Sequence, residues 1–369
     1  MNKNKKQIIF FCPQISDGGL EKTLINYLNY FSKDNNISLV TNTNNYKQLS
    51  LISKKVKIIN FKIKFLIQFR LLNNLFCAIL LFKFLSKKTI IFSVQDHFFI
   101  LFFKFLGLKT KLVIRTPTAI LNNRNSYESI HLSKVHLLKR IITIFYKYSD
   151  LVITFSENNK KFLKRIIKVK NVQVVYNYFP KFSGKKKIKK IYNIFFIGRL
   201  VDDKDPIFFI KNTIKLLDIK KFKIHIIGKG VCLDELKKIS KNNLNDIKFY
   251  GYVKNPLIKY NKIIDLICVT SKYDGTPNII GEALSYKIPC IAPTRVGLSD
   301  FVFSNGKYGY LYKPGDNKSF QKTVLEIFKN YSHAIYKAKE GYNSLDRFSK
   351  KNTLGKLEEI IEKFFHKKI

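Results

Sequence analysis

The chain has 369 residues, enough for two domains of ordinary size, and 46% of them are hydrophobic, which excludes a disordered chain and provides for a large core. Its formal net charge is +43, carried mostly by Lys in a chain also rich in Ile, Asn, Tyr and Phe; this fits a bias toward A+T-rich codons and equally an attraction to polyanions such as an anionic membrane or a phosphate-bearing substrate. No aromatic RNP motif or zinc finger is present, which argues against nucleic acid, and the scattered Cys12, Cys77, Cys232, Cys268 and Cys290 read as buried reduced thiols of a cytosolic protein rather than a disulfide frame or zinc site.

The N-terminus is basic, and the apolar run at 7–12 stops at Pro13. That run is too short for a secretory core and reads as a first strand. Leu24, Leu28 and Phe31 then recur at helical spacing over 21–31. Strands come next at 37–41 and 57–61. The stretch 66–87 is helical, apolar and basic, but Arg70, Asn73, Asn74 and Lys83 interrupt it, so it falls short of a membrane span. Strands at 89–93, 111–115, 151–155 and 172–176 alternate with helices at 134–148 and 156–167, the second opened by a Ser cap.

The Lys-rich residues 181–190 have little to bury and read as a linker after a first domain at 1–180. The alternation then restarts in a second domain at 191–345. Strands are expected at 193–197, 222–227, 247–250, 266–269 and 290–293, and helices at 206–217, 232–242, 279–286, 320–339 and 353–367. The last of these lies in a C-terminal piece, 346–369, expected to pack back on the first domain. Two such βαβ sets make an α/β protein in which ligands sit at the carboxyl ends of strands, near helix N-termini.

Four segments lie at such places. Asp17-Gly18-Gly19-Leu20-Glu21 joins the first strand to the first helix, where glycines let the backbone approach a phosphate. Gly198-Arg199-Leu200, with Lys204 beyond, offers a forked cation and a point charge for phosphate oxygens. Gly228-Lys229-Gly230 is either a nucleotide-lining loop or a plain glycine turn. Residues 271–284 carry Asp274 and Glu282 around a turn shaped by Gly275 and Pro277. A helix then begins near Asn278, so that Asp274 precedes it and Glu282 sits about one turn inside. One acid can face a sugar and the other a ribose, with amides from Thr276 to Ile279 aimed at phosphate.

These motifs resemble those of the retaining GT-B glycosyltransferases, particularly glycosyltransferase family 4. The likeness covers most of the chain and is most specific at 193–316. The family's Gly-Gly-x-Glu loop matches Gly18, Gly19 and Glu21; its Gly-Arg-Leu…Lys motif matches Gly198, Arg199, Leu200 and Lys204; its two-acid motif matches Asp274 and Glu282. Pro289 and Ala292 resemble the family's next strand, and the stretch from Gly297 to Val302, Gly309 and the pair Gly315-Asp316 resemble the loop and strand beyond it.

The resemblance implies a GT-B fold, two Rossmann-like domains facing across a cleft, and a nucleotide-sugar donor, a UDP-sugar above all. It implies that Gly18, Gly19 and the amides of Asn278, Ile279 and Ile280 approach the diphosphate, and that Arg199 and Lys204 neutralise it as it leaves. Asp274 would hold the donor sugar and Glu282 the ribose. No metal is required, because cationic side chains and helix dipoles do that work. The acceptor would be a glycan or a polyprenyl- or lipid-linked glycan of surface polysaccharide synthesis, lipopolysaccharide or capsule. The protein would be cytoplasmic, peripheral at the inner face of the plasma membrane, with the 66–87 helix on anionic lipid.

Two departures stand out. The first acid is Asp274 where the family has Glu, and the loop after 111–115 reads Arg115-Thr116-Pro117-Thr118 where many members place a His. His97, after the strand 89–93, is the candidate to face the cleft instead, against the commoner structural role of a lone histidine. Competing functions are a non-transferring nucleotide-sugar epimerase or hydrolase of the same architecture, and a non-catalytic membrane- or polyanion-binding protein.

Overall fold

A computed structural model describes residues 6–86, 88–116, 142–182, 192–217, 219, 222–272, 274 and 277–366. The chain forms two compact units: Met1–Tyr178 together with Lys351–Ile369, and Phe179–Lys350.

In the first unit the strands are β1 (Gln7–Phe11), β2 (Asn36–Thr41), β3 (Lys57–Asn60), β4 (Thr89–Ser93), β5 (Lys111–Arg115), β6 (Leu151–Thr154) and β7 (Val172–Val174). Among the described residues they form one parallel sheet, in the order β3-β2-β1-β4-β5-β6-β7. The central strands are apolar on both sides because helices cover both faces of such a sheet. Ile8 and Phe10 pack with Leu24, Leu28 and Phe31 of the helix Gly19–Phe31, and with Leu357 and Ile361 of the C-terminal helix Lys356–His366. Ile9 and Phe11 face the opposite layer, with Cys77, Leu81, Ile100 and Leu101. Tyr30 anchors the C-terminal helix further, its hydroxyl donating to Glu358 at 3.0 Å.

The second unit contains β8 (Tyr192–Ile197), β9 (Phe222–Ile227), β10 (Ile247–Phe249), β11 (Leu266–Cys268), β12 (Cys290–Pro293) and β13 (Tyr310–Tyr312), again parallel, in the order β10-β9-β8-β11-β12-β13. Ile194, Phe196, Ile224, Ile226 and Leu266 pack against Phe209, Leu236, Phe320 and Val324 of the covering helices.

Several elements differ from the sequence expectation, which lacks the helices Tyr46–Leu49, Phe98–Phe105, Pro256–Tyr260 and Ser299–Val302. The single helix at 320–339 is two helices, Asn317–Lys329 and Tyr331–Ser344. Asn330 between them has φ −129° and its side chain accepts from the His333 amide at 3.1 Å, so it ends one helix and caps the next. The stretch 66–87 breaks at Phe69 into helices Lys64–Gln68 and Arg70–Leu81, with a 3-10 turn at Phe82–Phe84 after them. Strand β13 carries no long apolar run to announce it. Most of the helix expected at 134–148 and of the linker expected at 181–190 lies outside the described residues. Cys232 is half-buried, while the other four cysteines are buried and all five are free. Among the described residues no helix is long and apolar enough to cross a membrane.

Candidate functional site

In the second unit the expected residues gather at the carboxyl ends of β9, β8 and β11, three consecutive strands of the sheet. β8 ends at Ile197 and releases Gly198 and Arg199; β9 ends at Ile227 and releases Gly228. The two loops are sewn together. The Gly198 amide donates to the Ile227 carbonyl at 3.0 Å and the Leu200 amide to the Lys229 carbonyl at 2.9 Å. The approach is so close that a Cβ on Gly228 would stand 1.8 Å from the Gly198 carbonyl oxygen, and one on Gly230 would stand 2.3 Å from that of Leu200. The glycines of this second turn therefore serve loop-to-loop contact. Leu200 is buried and anchors the loop, while Arg199 is exposed.

The chain then makes a 3-10 turn, Asp202–Lys204, and reaches Asp205 at φ 47°, whose carboxylate accepts from the Phe208 amide at 3.0 Å to start the helix Pro206–Leu217. Burial raises the Asp205 pKa, against the lowering effect of that amide and of Lys272. The turn is clamped to the segment after β11. Thr270 bridges the carbonyls of Lys204 and Asp205 at 3.0 and 2.9 Å. The Lys272 amide donates to the Asp203 carbonyl at 3.0 Å, and its ammonium meets Asp202 at 2.6 Å. Sequence reasoning passes over Thr270, Lys272, Asp202 and Asp205; the signal available is the dense charge of Asp-Asp-Lys-Asp directly after Gly-Arg-Leu-Val.

The clamp brings the Lys204 ammonium onto the Asp274 carboxylate in a partly buried ion pair. Pro277 comes next in an extended conformation and is the N-cap of the helix Asn278–Ser285; no side chain caps that N-terminus. Glu282 lies in its second turn, half-buried. Burial raises the pKa of Tyr286, one turn further on, and the charge of Glu282 adds to the rise. Thus Gly198, Arg199, Lys204, Gly228, Asp274, Pro277, Asn278, Ile279 and Glu282 share one end of one sheet. Gly275 lies outside the described residues. The group offers an exposed guanidinium, an ammonium and a helix N-terminus to an anion, with two carboxylates for hydroxyl groups.

Gly18 and Gly19 belong to the first unit. Gly18 is extended, φ −159°, and caps the helix Gly19–Phe31. A Cβ there would stand 2.7 Å from a Glu21 carboxylate oxygen. Glu21 is buried and folds back to accept from the Ser16 amide at 3.2 Å and the Ser16 hydroxyl at 2.5 Å. The spacing Gly-Gly-x-Glu thus closes the loop on itself. Around it runs an uncharged buried network: Asn42 donates to Asn73 at 2.7 Å, and Asn73 to the Pro13 carbonyl at 3.1 Å. His97 is buried, its Nδ1 lies 2.7 Å from the Ser93 hydroxyl, and burial pushes its pKa down to about 3, so it is a neutral core histidine.

Residues 179–344 match the family model described as Glycosyl transferases group 1, a segment that holds every second-unit residue named above. In that segment the chain is similar to the glycosyl transferases of group 1. It is 28% identical over 263 residues to an uncharacterized glycosyltransferase of Methanocaldococcus jannaschii, covering 62% of this chain and 64% of that one. It is 24% identical over 314 residues to the GalNAc-α-(1→4)-GalNAc-α-(1→3)-diNAcBac-PP-undecaprenol α-1,4-N-acetyl-D-galactosaminyltransferase of Campylobacter jejuni, covering 81% and 82%. The chain thus spans a little under two thirds of the length of the first of these curated relatives. Among solved structures, Anabaena HepE in complex with UDP and glucose superposes with a TM-score of 0.76 at 16% identity, over 97% of this chain and 100% of that one. That likeness establishes the fold, which is GT-B.

Proposed function

We propose that this protein is a retaining glycosyltransferase of group 1. It moves a hexosyl or N-acetylhexosaminyl group from a nucleotide-diphosphate sugar, a UDP-sugar, to a glycan or lipid-linked acceptor of lipopolysaccharide or capsule synthesis. The carrying observation is the convergence of Arg199, Lys204, Asp274, Glu282 and the helix N-terminus after Pro277 on one end of the second sheet. The complex of HepE with UDP supports a uridine donor, and the PP-undecaprenol in the name of the Campylobacter relative supports a lipid-linked acceptor.

In the reaction the bond from the anomeric carbon to the diphosphate oxygen breaks. The acceptor hydroxyl oxygen bonds to that carbon from the face the diphosphate leaves, and the hydroxyl proton passes to the departing phosphate. Arg199, Lys204 and the helix N-terminus take up the negative charge that develops, so the reading needs no metal. Asp274 exchanges Lys204 for hydroxyls of the donor sugar, and Glu282 holds the ribose. A thermal-shift series across UDP-, GDP- and ADP-sugars tests this, with stabilisation by the UDP-sugar expected. Donor hydrolysis that is indifferent to every acceptor would point instead to a hydrolase.

The same proposal places the enzyme in the cytoplasm, at the anionic inner face of the plasma membrane. The helix Arg70–Leu81 supports this through the apolar side chains it leaves outside, while Cys77, Ala78 and Leu81 face the core. It buries Asn73 at 1% exposure and Asn74 at 4%, yet leaves Leu71 at 58%, Leu72 at 50% and Ile79 at 51%. The asparagines are held inward by the Pro13 and Asp96 carbonyls. The preceding helix Lys64–Gln68 buries none of its residues and exposes Phe65. An exposed apolar face beside Lys62, Lys64 and Lys83 suits an anionic lipid surface.

A further inference from the structure

Arg115 ends β5 and is 3% exposed. Its Nη2 donates to the Asn177 side-chain oxygen at 2.6 Å. Its Nη1 is buried, and among the described residues it has no hydrogen-bond partner. The ion pairs of the first unit join Lys6 to Glu362, Arg70 to Asp96, Lys104 to Asp150 and Lys160 to Glu157; among the described residues none reaches Arg115. Thr116 and Thr154 bond each other at 3.3 Å, and His97 is neutral. The buried Tyr27 hydroxyl also has no partner among the described residues. Burial raises the Tyr27 pKa and the Arg115 charge opposes that rise, as expected of near neighbours.

Arg347 in the second unit has both terminal guanidinium nitrogens engaged. Its Nη1 and Nη2 donate to the Phe301 and Val302 carbonyls at 3.1 and 2.6 Å, and it stacks on the Phe348 ring with 4.7 Å to the centroid. Arg115 has a single neutral amide oxygen. A buried cation without a counter-charge is costly, and such cations are retained where an anion supplies the missing charge. The free Nη1–H and the Tyr27 hydroxyl are two donors of the kind a phosphate oxygen accepts. Asn177 is only half-buried, which leaves the guanidinium approachable from that side.

We infer that Arg115, with Tyr27 and Asn177, forms an oxyanion site in the first unit that takes a phosphate group. None of the nucleotide residues of the second unit belongs to it. If the transferase reading holds, the phosphate is one carried by the acceptor, and that clause alone rests on that reading.

The test compares the wild-type chain with Arg115→Met in thermal-shift titrations, once with inorganic phosphate and once with UDP. Phosphate should raise the Tm of the wild type and leave Arg115→Met unmoved, while UDP shifts both equally. An equal phosphate shift in the two proteins, or no shift in the wild type, overturns the site. The UDP arm reads the nucleotide site separately, so failure of one proposal is not failure of the other. Should Arg115→Met fail to fold, wild-type crystals soaked in tungstate decide the matter. Anomalous density within hydrogen-bonding distance of Arg115 Nη1 supports the site, and its absence there overturns it.

Discussion

The two sheets end differently. At the carboxyl end of the second sheet the functional groups are charged, and several are open to water: Arg199 is exposed, and Lys204 with Asp274, and Lys272 with Asp202, form ion pairs. At the carboxyl end of the first sheet most polar groups are buried and neutral, as in the chain from Asn42 through Asn73 to the Pro13 carbonyl and the pair Ser93–His97. The proposed transfer would draw on Arg199 and Lys204 of the second unit for the departing diphosphate. The same topology thus carries two different sets of polar groups on its loops.

The largest effect expected from breaking this contrast is at Arg199. Arg199→Ala should lower kcat by about 10²–10³-fold with an unchanged Tm, because the side chain is exposed and serves the departing charge. Glu282→Ala, measured in the same assay, should cost about 10–100-fold, mostly in donor KM, as the loss of charge-assisted hydrogen bonds to ribose. Unchanged turnover in both would remove the charged end from the chemistry.

Gly228→Ala comes next. Its Cβ meets the Gly198 carbonyl oxygen at 1.8 Å, and backbone on both sides leaves no flexible end to yield. Denaturant titration should show a loss of roughly 1–3 kcal/mol, together with weaker UDP binding as the Gly198–Arg199 loop is pushed away. Full stability in this variant would mean the two loops are not held as described.

Acid should affect both units alike. His97, with its pKa down to about 3, and His225, down to about 4 chiefly through burial and then through Lys248 and Lys223, are both neutral in the fold. The unfolded chain protonates them near the ordinary value of 6.5, so their contribution is complete above that pH and is lost as pH falls from 6.5 toward 4 and 3. At about 1.4 kcal/mol per pKa unit these windows correspond to roughly 5 kcal/mol for His97 and, with its partial exposure discounted, roughly 2–3 kcal/mol for His225. His97→Gln should flatten the acid limb of a Tm-against-pH curve; an identical slope would show that His97 carries charge in the fold.

The smallest effect on stability is expected from Leu72→Ser with Ile79→Ser, within about 0.5 kcal/mol for exposed positions. The pair should nonetheless lose co-sedimentation with vesicles containing phosphatidylglycerol while turnover on a soluble acceptor persists. Undiminished vesicle binding would remove this helix from the membrane proposal.

Much of the fold is legible in the sequence wherever a local rule decides structure. The period of apolar residues marks most strands, and the start of the helix at Pro206 and the end of β8 fall within a residue of where that period puts them. Gly-Arg-Leu…Lys with the two acids marks one end of the second sheet. Long-range partners are not legible. Nothing local shows that Thr270 grips the Lys204 carbonyl or that Lys204 meets Asp274, because those contacts depend on β8 and β11 lying side by side. Nothing local shows either that the Glu21 carboxylate folds back against Gly18. The helix Arg70–Leu81 is hard to read because polar residues in an apolar run look like interruptions; here Asn73 and Asn74 share its inward face with Cys77, Ala78 and Leu81.

The central claim is that cations of the second unit gather the charge of a nucleotide diphosphate. Calorimetric titration of UDP into the wild type and into the Arg199→Ala, Lys204→Ala double variant measures it directly. Micromolar binding in the wild type that weakens at least about a hundredfold in the double variant, a difference of about 2.7 kcal/mol, is the predicted result. Equal affinity in two folded proteins would contradict it.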